Sequence, residues 1–177
     1  EELVVYKRQG LLDVLSDGEL YDQIAVNFTA VLLLTKYSIP LLKASKSGGI
    51  LNISSGLGLL GTPFYAVYGS TKAGLKHFSD CMRRELAPHG IHVTCAYPTA
   101  TDTDMMQKFV DRKMDSPEFV AVKSLEGLLN KELHVVFGGE EREKDIQLNF
   151  EHPEKFDVIV AANYENRKQS SENHKAL

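Results

Sequence analysis

The stretch Ile50-Leu51-Asn52-Ile53-Ser54, followed by Ser55, decides the fold of this 177-residue chain. It is a short and almost continuously apolar run that comes directly after the break Ser47-Gly48-Gly49. A strand with one face in water alternates apolar and polar residues, whereas a parallel strand covered on both faces does not. The run therefore predicts a buried parallel strand, the first that the chain shows.

Helix and strand patterns alternate on both sides of this run. Parallel strands joined by right-handed crossover helices satisfy that order, so we predict a single α/β domain with a Rossmann-like, doubly wound parallel sheet. Ligands of such sheets bind at the carboxyl ends of the strands. The predicted elements are a helix at 19–46, a strand at 50–54, a helix at 66–88, strands at 91–97 and 134–137, and a charged loop plus one amphipathic helix over 139–177.

The composition excludes several classes of function. Of the residues 43% are hydrophobic and 25% charged, the formal net charge is -4, and Lys and Arg are scattered, so a nucleic-acid surface is not expected. Two cysteines, Cys81 and Cys95, are too few for a disulfide framework and fit a reducing, cytoplasmic compartment. The histidines form no metal-ligand pair. Polar residues interrupt the apolar stretch 24–42, so no span of a bilayer core about 30 Å thick is predicted.

A glycine-rich segment follows the decisive strand. Gly56-Leu57-Gly58-Leu59-Leu60-Gly61 satisfies the pattern G-x-G-x-x-G. Such a turn binds a pyrophosphate when a helix begins at it and an acidic residue ends the next strand about 20 residues later. Thr62-Pro63-Phe64 stands where that helix should already have begun, and the acidic residue is missing. We interpret the segment as a flexible loop beside the site.

Tyr68 and Lys72 lie one helical turn apart, so both face the same side of the second helix. A phenol, with a pKa of about 10, becomes an acid-base group near neutral pH when a positive charge stabilises its phenolate. The same Tyr-x-x-x-Lys pattern recurs at Tyr164 and Lys168, but only the first copy follows a strand end. Ser55 can fold back toward Tyr68, so that two hydroxyls bracket one substrate oxygen. A serine hydrolase is excluded, since no G-x-S-x-G elbow is present.

These residues together resemble the compact, single-domain form of the short-chain dehydrogenase/reductase family. The likeness covers about residues 17 to 138 and includes Asn27, the Ser54-Ser55 strand end, Tyr68 thirteen positions after Ser55, and Lys72. The segment from Tyr97 to Thr103 is similar to the family's Pro-Gly-x-x-x-Thr segment, although Thr99 stands where the family usually has Gly.

The resemblance implies a role for each matched residue. Tyr68 would be the catalytic acid/base, Lys72 would lower its pKa and hold the nicotinamide ribose, and Ser55 would position the substrate oxygen. Asn27 would support the proton relay, and asparagine is otherwise a poor choice inside an apolar helix. NAD or NADP is the implied cofactor. Its contacts would come from Tyr68, Lys72, Pro98, Thr101 and Thr103.

Two functional hypotheses follow. The first is an NAD(P)-dependent oxidoreductase that interconverts an alcohol and a ketone or aldehyde, assembled as a homodimer or homotetramer through the helices at 19–46 and 66–88. The second is a non-catalytic relative that acts as an oligomerisation or interaction partner. The family's Thr-Gly-x-x-x-Gly-x-Gly cofactor loop would precede Glu1. The resemblance therefore implies a carboxyl-terminal two thirds of the family domain, with strand 50–54 open on one side.

Overall fold

The computed structural model describes residues 9–45, 47–103, 106 and 114–173. Over these residues it confirms the predicted α/β architecture, with three parallel strands in the order β1-β2-β3 and helices on both faces. The strands are β1 Gly49–Ile53, β2 His92–Tyr97 and β3 His134–Val136. The helices are α1 Asp17–Ile24, α2 Ala30–Ala44, α3 Ala66–Leu86, α4 Pro117–Leu129, α5 Gly139–Glu151, α6 Pro153–Ala162 and α7 Tyr164–Asn173.

The sheet separates two apolar layers. On one face Met82 and Leu86 of α3 pack with Val93 of β2. On the other face Ala96 of β2 packs with Val135 of β3, beneath α4. Successive side chains of a strand point to opposite faces, so strands buried on both sides carry nearly continuous apolar sequence. This is why the run at residues 50–54 lacks the alternation of a half-exposed strand.

The predicted long helix forms, with a change of helical type in its middle. Its amino end is fixed by a capping box, in which the Ser16 hydroxyl accepts from the Glu19 N–H and the Glu19 carboxylate accepts from the Ser16 N–H. The segment Ala25–Thr29 between α1 and α2 is a π-helical turn. Such turns widen a helix locally and are frequent at functional sites. The described helix ends at Ala44, and residue 46 lies outside the described residues.

By length and composition alone, one helical segment of the described chain would be able to cross a membrane. It is the continuous helix Asp17–Ala44, whose best 18-residue window has a mean hydropathy of 1.5. One such helix is weak evidence for a membrane span, and this helix buries polar side chains at Asn27 and Thr35 although only 11% of the window is buried. The observation therefore leaves the expectation of a non-spanning helix in place.

The carboxyl-terminal part differs from the predicted charged loop and single helix. Three helices, α5, α6 and α7, occupy this part, and residues 174–177 lie outside the described chain. Acidic residues in the first turn of α5 favour helix through its dipole, which explains why the charged run is helical. Pro153 takes the first position of α6, where its missing N–H costs nothing, and separates α6 from α5.

Candidate active site

The two serines at the end of β1 have different tasks. The buried Ser54 hydroxyl donates to the main-chain carbonyl of Lys72 at 2.8 Å and so fastens β1 to α3. Ser55 is half-buried, and its Oγ accepts the N–H of Leu57 at 3.2 Å. Consecutive residues of an extended chain point in opposite directions. Ser55 is therefore the serine whose hydroxyl faces the site.

Tyr68 lies in the first turn of α3 and is hydrogen-bonded to Ser55. Its side chain is 7% exposed, and this burial raises the pKa of the phenol above its usual value, while the hydrogen bond from Ser55 lowers it by less. The net direction is upward because a phenolate loses its hydration when it is buried. The hydroxyls of Ser55 and Tyr68 lie within hydrogen-bonding distance of each other.

Lys72 extends along the end of β1. Its Nζ donates to the carbonyl oxygen of Ile53 at 3.1 Å and lies 5.8 Å from the centre of the Tyr68 ring. Burial lowers the pKa of the ammonium to about 8. We expected Lys72 to lower the pKa of Tyr68. In the structure the group that lowers it is Ser55, and the Lys72 ammonium donates to the Ile53 carbonyl.

Asn27 and Lys72 line the same groove. The groove has a volume of about 470 Å³ and runs between α2 and the outer edge of β1. Asn27 is 3% exposed and occupies the π-helical turn between α1 and α2. The widened turn thus directs a polar side chain to a groove whose lining is otherwise largely apolar. This brings Asn27 to the same part of the molecule as Lys72.

The glycine-rich segment is a packed turn and not a dinucleotide fingerprint. Gly56–Gly58 forms one 3-10 turn, the next helix begins only at Ala66, and Leu60 is 1% exposed. A Cβ on Gly58 would lie 2.8 Å from the main-chain carbonyl of Lys72, so this glycine permits close contact between the turn and α3. The interpretation of the segment as a loop beside the site agrees with this arrangement.

The segment after β2 contacts the loop after β1 through Pro98. The N–H of Gly56 donates to the carbonyl of the buried Pro98 at 2.9 Å, which links the ends of β1 and β2. Thr99 donates to the Asp115 carboxylate at 3.1 Å, a contact that the usual glycine would lack. Thr101 forms a β-bridge with Asp115, and the exposed Thr103 donates to the Thr101 carbonyl at 3.4 Å.

The donor groups at this edge fit the nicotinamide end of NAD(P). A phenol, an ammonium and a serine hydroxyl converge where β1 ends, and ribose hydroxyls and a carbonyl oxygen are the groups that such donors bind. The Gly56–Gly61 segment does not open a helix that would receive a pyrophosphate, and in the described ranges no three His, Cys, Asp or Glu side chains are grouped as metal ligands.

The second Tyr-x-x-x-Lys copy lies in another environment. Tyr164 begins α7, and its ring packs at 5.0 Å from that of Phe64. The sequence reasoning missed Arg142, whose guanidinium packs against Gly56 beside Ser55. The charged run around this arginine reads as a solvated surface, so the sequence carries no signal for its position.

A doubly wound parallel α/β sheet with a Ser-Tyr-Lys site at its strand ends defines the class of this protein. The family model described as short chain dehydrogenase matches residues 6–114, and the chain belongs to this family, which uses NAD(P). A crystal structure of a short chain dehydrogenase from Burkholderia cenocepacia in complex with NADP has a TM-score of 0.78 at 22% identity, over 89% of this chain and 65% of that chain.

Curated relatives agree with this assignment. The putative oxidoreductase SadH of Mycobacterium tuberculosis is 32% identical over 70% of this chain and 51% of its own length. The 3-oxoacyl-[acyl-carrier-protein] reductase FabG of Chlamydia trachomatis is 36% identical over 59% of this chain and 42% of its own length. The chain therefore spans about half the length of these relatives.

Proposed function

We propose that the protein is an NAD(P)-dependent oxidoreductase that interconverts an alcohol and a ketone or aldehyde. The observation that carries the proposal is the hydrogen bond between Ser55 and the buried Tyr68 at the end of β1, with Lys72 one turn away. The names of the relatives, which include oxidoreductases and an oxoacyl reductase, support the same reaction class.

In this mechanism the side chains of the chain handle the proton. The phenol of Tyr68 donates a proton to the carbonyl oxygen during reduction, and its raised pKa keeps it protonated at neutral pH. The Ser55 hydroxyl holds the same oxygen. Lys72 would supply a donor for the ribose, and Asn27 lines the same groove. A bound NAD(P)H would supply the hydride, with Pro98, Thr101 and Thr103 as further cofactor contacts.

The same proposal includes assembly of the protein as a homodimer or homotetramer. Leu33, Tyr37 and Leu41 recur every fourth residue on α2 and are 45%, 68% and 75% exposed. Residues at this spacing form a stripe along one side of a helix. We expect this stripe, with the neighbouring helix α3, to be covered by a second copy in a homodimer or homotetramer. A purely non-catalytic role is not favoured, and the proximity of Ser55, Tyr68 and Lys72 supports the catalytic alternative.

The test is turnover of carbonyl compounds with NADH or NADPH by the full-length protein and by Tyr68→Phe. Loss of the proton donor is expected to lower turnover by about 100-fold or more, while cofactor affinity measured by fluorescence stays nearly unchanged. Tyr164→Phe is the matched control, because it removes the same atom from the other Tyr-x-x-x-Lys copy. Retained turnover in Tyr68→Phe would contradict the assignment.

A further inference from the structure

The feature that the proposed mechanism leaves unused is Arg142. It lies in the first part of α5, after the turn at Gly138 and Gly139, whose φ angles are 99° and 63°. Its side chain folds back from α5 over the carboxyl ends of the strands. The residue is half-buried, and its Nε is shielded from solvent.

Two glycines make room for this side chain. A Cβ on Gly56 would lie 3.2 Å from the guanidinium carbon of Arg142 and closer still to one of its terminal nitrogens. A Cβ on Gly138 would lie 2.9 Å from the Cβ of Arg142. Real Cβ atoms do not approach so closely, so any other residue at either position would displace the arginine. The guanidinium therefore lies directly against the main chain at Gly56.

This position is next to the groups that hold the substrate oxygen. Gly56 follows Ser55, whose hydroxyl is bonded to Tyr68, and the Gly56 N–H is bonded to the Pro98 carbonyl. Arginine keeps its charge at every physiological pH and presents a planar fork of N–H donors that matches a carboxylate. A substrate with its carbonyl oxygen at Ser55 and Tyr68 would bring groups a few bonds away to this fork.

We propose that Arg142 binds a carboxylate of the substrate, which makes oxo acids and the corresponding hydroxy acids the substrate class. This inference rests on the proposed oxidoreductase function and specifies its substrate. The carboxylate anchors the acid at Arg142, and the carbonyl oxygen is then held by Ser55 and Tyr68. Arg142 is thus a specificity-determining residue on an element, α5, that does not carry the proton-transfer groups.

The experiment compares each oxo acid with its own amide. The full-length protein is assayed for reduction of three acids, pyruvate, acetoacetate and levulinate, which place the carbonyl at three distances from the carboxylate. The corresponding amides, pyruvamide, acetoacetamide and levulinamide, are assayed beside them. We expect at least one acid to exceed its amide in kcat/KM, and Arg142→Gln to remove that preference. The loss on the acid should be on the order of 10- to 100-fold, as for a hydrogen bond to a charged group, and the loss on the amide should be much smaller.

Two further variants separate recognition from structure. Arg142→Lys keeps the charge without the fork and should retain part of the preference. Lys144→Gln removes the same charge from the same helix at an exposed position, where Nζ lies 3.9 Å from Glu140, and should change neither substrate. A merely structural arginine would lower acid and amide rates equally.

The outcomes distinguish this inference from the proposed function. Equal kcat/KM for every acid and amide in the unaltered protein, or equal losses in Arg142→Gln, would overturn the role of Arg142 and leave Tyr68-dependent turnover intact. If no carbonyl compound is reduced, the oxidoreductase proposal fails. Calorimetric binding of levulinate to the unaltered protein and to Arg142→Gln then measures the carboxylate site alone, and absent or unaltered binding overturns it.

Discussion

At the scale of single residues, burial of the Lys72 ammonium lowers the stability of the fold at a residue that the proposed function requires. Burial lowers its folded-state pKa from 10.5 to about 8, so the folded protein disfavours the charged form. This destabilisation is fully present below about pH 8 and disappears as the pH rises toward the unfolded pKa of about 10.4. A group that only supported the fold would not be expected to carry such a cost.

Replacing this residue by an apolar one of similar length should therefore stabilise the protein. Lys72→Met is expected to raise the free energy of unfolding near pH 7 by about 2–3 kcal/mol, and to abolish turnover. The gain should shrink toward pH 10, and urea unfolding at both pH values measures it. Lys76→Met, one turn along α3 at an ion pair with Asp80, is the control and should show no such gain. Equal destabilisation by Lys72→Met at both pH values would contradict the argument.

Gly58 shows how a site can depend on a missing side chain. A Cβ there would lie 2.8 Å from the Lys72 main chain and from the Ser54 hydroxyl. Gly58→Ala is expected to cost about 1–3 kcal/mol of stability, as overpacking does, and to lower activity by displacing Lys72. Gly61→Ala, with no atom within 4 Å of the new Cβ, is the matched control. Thermal unfolding that is equal for the two variants would refute the close-contact explanation.

At the scale of elements, the carboxyl-terminal helices act on the site through the loop after β1. Phe156 and Val160 of α6 form a buried cluster with Leu60 of that loop. Phe156→Ala is expected to cost about 3–5 kcal/mol by leaving a cavity. Phe150→Ala on α5, where the ring is 87% exposed, should change stability by less than about 0.5 kcal/mol. Denaturant midpoints measure both, and similar values would show that α6 does not support the loop.

Elements whose apolar pattern marks them as buried are predictable from the sequence, and features fixed by tertiary contacts are not. The apolar run of β1 and the inward stripe of α3 each indicate burial in the sequence. The order of these elements then predicts that Ser55, Tyr68 and Lys72 lie near one another. The π-helical turn around Asn27 has no local signal, because its widening depends on packing. The charged start of α5 predicts a loop because its charges mask a helix, and the position of Arg142 depends on the three-dimensional contact with Gly56.

At the scale of the whole molecule, the described fold leaves an apolar edge beside its site. β1 is the outer strand of the described sheet, and Ile53 at its end is 44% exposed. The groove between β1 and α2 is lined by Leu34 and Leu42 as well as by Asn27 and Lys72. An open edge strand with apolar neighbours pairs readily with other chains. The site and this edge therefore share residues, so whatever covers the edge also affects the site.

The stripe of Leu33, Tyr37 and Leu41 lies on a different side of α2 from this groove, because the groove is lined by residues 34, 35, 38 and 42. We expect the protein to be a dimer or tetramer by size-exclusion chromatography with light scattering, and the double variant Tyr37→Glu, Leu41→Glu to be monomeric. Two carboxylates in an apolar interface would lose hydration without gaining partners. Phe150→Glu, at a still more exposed apolar residue on α5, should leave the assembly unchanged. An unaltered protein that is monomeric, or a double variant that still assembles, would show that α2 does not form the interface.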